Sequence, residues 1–145
     1  MQLKSLFSKW TQVAGLLLMG GALAWAIKLC IIIATNGRII NTGAAALLMK
    51  IGIVMLLVGS TGIGNRLSRN RTLWLRTISI ILSPVVVFGS LVLVGTSIVP
   101  LFRHIDLWYA QEEAPIAIAV VVCMPIGYLL YKSCKPAGTN YLHQS

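Results

Sequence analysis

The chain has 145 residues, of which 57% are hydrophobic and only 10% charged. A soluble domain carries about 25% charged residues, and a soluble fold of this length could not hide so much apolar surface in one core, so the composition places the chain in the membrane class. The formal charge of +9 has no polar domain that would present it to nucleic acid; it fits helix ends that set topology and meet anionic headgroups.

In the opening segment Leu3, Leu6, Phe7 and Trp10 follow helical spacing beside Lys4 and Lys9. That pattern predicts a short interfacial N-terminal helix with Trp10 at headgroup level. A first transmembrane span follows over residues 11–34. Its basic start and small residues resemble a signal peptide, but the apolar run continues through Leu29-Cys30-Ile31-Ile32-Ile33-Ala34, which argues against cleavage. Asn36-Gly37 marks a turn, and a second span covers residues 43–64, so the first two spans are expected to form an antiparallel hairpin.

The segment with Arg66, Arg69 and Arg71 precedes a third span over residues 73–101, which contains Pro84. This span exceeds a hydrocarbon core of about 30 Å and requires tilt, a kink or an interfacial turn. The next loop holds all three acids, Asp106, Glu112 and Glu113. A fourth span over residues 114–131 contains Pro125 and forms a second hairpin with the third. Residues 132–145 read as a cytoplasmic tail. The expected fold is thus an all-α integral membrane protein: a single membrane domain, residues 1–145, with four transmembrane helices in two antiparallel hairpins.

Orientation follows from the basic residues. Lys4, Lys9, Arg66, Arg69, Arg71, Arg76, Lys132 and Lys135 fall on one side; Lys28, Arg38, Lys50 and Arg103 on the other. The positive-inside rule then puts both termini in the cytoplasm of a cell, with the chain in a plasma or inner membrane. Trp10, Trp74, Tyr128 and Tyr131 form the inner aromatic belt; Trp108 and Tyr109 form the outer one. Asn70-Arg71-Thr72 is a glycosylation sequon on the side where no glycan is expected.

Two lysines lie within spans, Lys28 and Lys50, both about 9–10 Å from helix ends on the outer side. Such charges are costly and usually partnered. The acids on the same side make an outer polar cluster conceivable from Lys28, Lys50, Asp106, Glu112 and Glu113, one that binds an anion, a lipid phosphate or a partner. At this depth the lysines can instead snorkel to the headgroups, which is the favoured reading; an internal salt bridge comes next, and ligand or partner binding last. Arg66, Arg69, Arg71 and Arg76 are expected to contact cytoplasmic lipid headgroups. Gly20 with Ala24, and Ser60 with Gly64, are spaced four apart and are expected to pack the first two spans together; Gly21 and Gly89 with Ser90 are further packing candidates.

The run Gly59-Ser60-Thr61-Gly62-Ile63-Gly64-Asn65 lacks the Lys-Ser/Thr of a phosphate loop and ends a helix rather than following a strand. His104 and His143 fall on opposite flanks and cannot share one metal. Cys30, Cys123 and Cys134 are odd in number, and two of them lie within spans, so neither a disulfide scaffold nor a zinc site is expected. No nucleophile, base or metal set is spaced for catalysis, so the chain is not expected to be an enzyme or to hold a cofactor or metal.

The expected function is that of a non-catalytic accessory subunit, which packs with, stabilises or assembles a larger membrane protein complex. Its expected partners are other membrane subunits and lipids. The alternative is an oligomeric channel or small transporter, built from copies of this chain and favouring an anion. Its weakly polar seam would be Ser79, Ser83 and Ser90 of the third span.

Overall fold

The computed structural model describes residues 2–39, 42–102 and 110–133. The described residues form four α-helices and one 3-10 turn, with no strand: α1 (Gln2–Ala34), α2 (Gly43–Leu67), α3 (Leu73–Ile98), the turn η1 (Val99–Phe102) and α4 (Ala110–Lys132). Within them lie four segments long and apolar enough to cross a membrane, Lys9–Ala34, Gly43–Leu67, Leu73–Ile98 and Glu113–Lys132.

The element bounds differ from expectation in four places, the simplest being α2, which runs to Leu67 rather than residue 64. The N-terminal segment is no separate interfacial helix: α1 runs unbroken for 33 residues, about 50 Å at the rise of an α-helix. Nothing between Trp10 and Thr11 breaks a helix, so the amphipathic start simply continues into the apolar span. The third helix stops at Ile98 rather than residue 101, because Pro100 has no N–H to continue the ladder and the chain tightens into η1. The fourth helix starts at Ala110 instead of 114, which places Glu112 and Glu113 in its first turn, where acids suit the helix dipole.

α1 ends at the Asn36-Gly37 signal. Asn36 (φ 49°) and Gly37 (φ 77°) adopt left-handed backbone. The Gly37 N–H bonds the Ile32 carbonyl and the Asn36 N–H bonds the Ile33 carbonyl, the paired pattern that satisfies orphan carbonyls at a helix end.

α1 is the hub of the bundle and packs against both α2 and α4, while α3 packs against α2 and, at its C-terminal part, α4. On α1, Ala14, Leu18 and Ala22 recur every four residues, and all are fully buried. Leu18 and Ala22, with Trp25, meet Leu56 of α2 and Ile116, Ala119, Cys123 and Leu130 of α4 in one core, and Ala14 lies against Gly62 of α2. Glycines let the backbones touch. A Cβ on Gly15 would lie 2.8 Å from the Gly127 carbonyl oxygen of α4, and one on Gly59 would lie 2.7 Å from the Leu18 amide nitrogen of α1. Contacts of higher-numbered α2 residues fall on lower-numbered α1 residues, Trp25 on Gly52 and Ala14 on Gly62. The two helices therefore run in opposite directions, and α4 runs opposite to α1 by the same test, Lys28 meeting Glu113 and Gly15 meeting Gly127.

α3 is different. Only Ser83 and Gly95 of its 26 residues are buried. Pro84 leaves the Ile80 carbonyl without its helix donor. The Ser83 hydroxyl lies 3.1 Å from that oxygen and 2.8 Å from the Ser60 carbonyl of α2. It has one proton to share between them, so one serine both repairs the proline gap and ties α3 to α2.

Candidate functional site

Apart from Ser60 and Ser83 in the α2–α3 seam, the buried polar side chains gather at the two ends of the bundle. At one end, Lys28 of α1 meets Glu113 of α4. Its Nζ donates to both carboxylate oxygens, at 2.7 Å and 2.9 Å. The side chains are 2% and 7% exposed. Taking two charges out of water costs several kcal/mol per ion unless geometry and hydrogen bonding compensate, and this pair is direct and two-pronged. The earlier start of α4 creates it: the added turn carries Glu113 onto the helix face that looks at α1.

Lys28 therefore does not snorkel, as its depth suggested. It is buried and paired. Lys50 is separate from it and exposed on α2, among the exposed apolar residues Leu47, Ile51 and Val54. Of the three cluster members whose side chains are described, Lys28 and Glu113 are brought together and Lys50 stands apart. Asp106 lies outside the described residues, as do His104, Trp108, Tyr109 and the tail from Cys134, and the side chain of Glu112 is likewise outside them. Nearby, the Trp25 indole donates to the Met49 carbonyl at 3.3 Å and covers Gly52.

At the other end, three helices share one amide. Asn65 of α2, 1% exposed, donates from Nδ2 to Thr11 Oγ1 of α1 at 2.8 Å and accepts from Arg76 Nε of α3 at 2.7 Å. Arg76 is half-buried by this contact, whereas Arg66, Arg69 and Arg71 are exposed. The four arginines expected to act alike at headgroups thus divide, with Arg76 turned inward. Arg66 reaches across to α4, its Nη1 lying 3.3 Å from the Leu129 carbonyl. Trp10 is exposed at this end and donates to Thr61 Oγ1 at 3.3 Å.

The expected packing residues also divide. Gly20 lies against Met55 of α2, and Ala24 is buried. Ser60 and Gly64, expected against α1, lie against α3 instead: the Ser60 carbonyl receives Ser83, and a Cβ on Gly64 would overlap the Ser79 carbonyl. The α2 face toward α1 is carried by Gly52, Gly59 and Gly62, spaced seven and three, a stripe of which two members lie inside the 59–65 glycine cluster. Gly89 has open space around it. The serine seam on α3 does not hold as one face: Ser83 is buried toward α2, while Ser90 is exposed and bonds its own helix at Val86.

Among the described residues, every buried side-chain nitrogen and oxygen has a hydrogen-bond partner, and no group of three or more His, Cys, Asp or Glu is placed to hold a metal ion. Thr11, Lys28, Asn65, Ser83 and Glu113 link helices, whereas the Ser60 and Ser68 hydroxyls bond carbonyls of α2. Comparison with family models, with curated proteins and with solved structures finds no match for this chain.

Proposed function

We propose that the chain inserts its four helices in a plasma or inner membrane as two antiparallel hairpins, with both termini cytoplasmic, and that it serves as a non-catalytic accessory subunit of a larger membrane protein complex. The observation that carries this reading is the contrast between α1 and α3. α1 is wedged between two helices, whereas α3 leaves Ile81, Leu82, Val85, Val86, Val92 and Leu93 exposed along its length. Gly89 and Ser90 lie midway in that surface, both exposed. Small residues permit close backbone approach, the contact on which helix association in lipid depends.

The polar chemistry supports the same reading. Lys28–Glu113 and Thr11–Asn65–Arg76 are joints between helices, and the hydroxyls of Ser90, Thr96 and Ser97 bond carbonyls of their own helix. These groups stabilise a small bundle and leave its outside apolar. The test is site-directed photo-crosslinking from Val85 and Val92 in the native membrane. Adducts with one larger protein, absent from control positions Val13 and Leu16 on α1, support the subunit reading. Lipid adducts alone at both sets of positions reject it.

A further inference from the structure

A groove of about 520 Å³ lies between the C-terminal parts of α2 and α4, lined by Ile63, Arg66, Leu67, Ile126, Leu129 and Leu130. Its volume is in the range of about 300–1,000 Å³ that small-molecule sites occupy. Five walls are apolar, and one residue is a cation. We propose that this groove is a site for a single anionic phospholipid, with an acyl chain between α2 and α4 and its phosphate on the Arg66 guanidinium. The proposal rests on the membrane reading above, and not on the subunit reading.

Charge complementarity selects the occupant. Arg66 sits in the last turn of α2, at the end of the bundle that also carries exposed Lys9, Arg69, Arg71 and Lys132. The chain has three acids. Glu113 is bound to Lys28 at the opposite end, Glu112 precedes it in α4, and Asp106 belongs to the segment joining η1 to α4. The residues after α4, from Ser133 to Ser145, include no Asp or Glu. Within the four helices the acids are Glu112 and Glu113, both in the first turn of α4 at the opposite end, so the helices offer Arg66 no carboxylate.

Arg66 is also the arginine suited to the role. Its bond to the Leu129 carbonyl uses one donor of the five a guanidinium carries and holds its head over the groove. Arg76 is turned into the bundle on Asn65, and Arg69 and Arg71 lie in the turn beyond α2. A fork of N–H donors above an apolar slot matches a phosphate above an acyl chain.

The test uses the full chain in nanodiscs of phosphatidylcholine doped with phosphatidylglycerol, followed by native mass spectrometry, with a photoreactive phenylalanine derivative at Leu129 in a parallel sample. The expected result is preferential retention of one phosphatidylglycerol and a lipid adduct at Leu129. Arg66→Gln should lower that retention by about tenfold, the worth of one charge-assisted hydrogen bond, while Arg69→Gln leaves it unchanged. Ile126→Trp, which fills the slot, should abolish it with the thermal melt preserved. Equal losses from Arg66→Gln and Arg69→Gln would show diffuse charge attraction and overturn the site. So would an adduct to this chain's own tail, to a second copy or to another protein. A chain that inserts but retains no lipid ends the site alone; a chain that fails to enter the nanodisc ends the membrane reading itself.

Discussion

Lys28 and Glu113 join α1 to α4 through a two-pronged ion pair, Nζ to Oε1 at 2.7 Å and to Oε2 at 2.9 Å, with almost no exposure to solvent. Each residue is tolerable inside the bundle only because the other is there. Removing one leaves a charge buried without compensation, which costs about 3–5 kcal/mol in buried pairs. Lys28→Met and Glu113→Gln should each lower stability on that scale in detergent unfolding titrations. The double variant Lys28→Met with Glu113→Leu should recover most of the loss, because well-packed apolar replacements of a buried pair are often neutral. Single variants as stable as the parent would mean that the pair is not buried in the folded protein.

The seam between α2 and α3 gives a second contrast. Gly64→Ala places a methyl group against the Ser79 carbonyl, which is backbone and cannot rotate away. The helices must part, at a cost of about 1–3 kcal/mol. Gly89→Ala meets open space and should be neutral or stabilising by up to about 1 kcal/mol through helix propensity. Paired melts of the two variants decide it, and equal effects would contradict the seam.

Much of this architecture is legible from the residues. Four apolar runs, the Asn36-Gly37 stop and the basic residues at helix ends identify the four helices directly, because bilayer thickness and turn chemistry act locally. The α1–α4 ion pair is legible as an alternative to snorkelling and not as the favoured reading, for a specific reason. A helix read as starting after the acids puts Glu113 in a loop, and a lysine at that depth can then snorkel. Acids in a first turn are themselves a helix-start signal; taken so, Glu112 and Glu113 extend α4 and bring Glu113 to the level of Lys28. Ser60 and Gly64 show the other limit. Spacing assigns two residues to one face, but it does not say which neighbouring helix that face meets.

Asn65 provides the third prediction. Asn65→Leu removes one hydrogen bond to Thr11 and one from Arg76 together. The loss is expected at about 1–3 kcal/mol, the scale of losing one neutral and one charge-assisted bond. Lys50→Leu, at an exposed position, should change stability by less than about 0.5 kcal/mol. The unfolding titrations used for Lys28 check both; a Lys50 variant as damaged as the Asn65 variant would contradict the exposed position of Lys50.

Orientation is tested by a cysteine at Gln111, in the first turn of α4, in a background where Cys30, Cys123 and Cys134 are replaced by Ala. The proposed topology puts residue 111 outside, so an impermeant thiol reagent should label it in intact cells. Labelling only after lysis would reverse the assignment of both termini.

The subunit reading is tested most directly by extracting the native protein in mild detergent, separating it on a native gel and identifying by mass spectrometry what migrates with it. The account predicts migration in a fixed ratio with larger membrane subunits. Migration alone, or as an assembly of this chain only, would contradict it and put the oligomeric channel in its place.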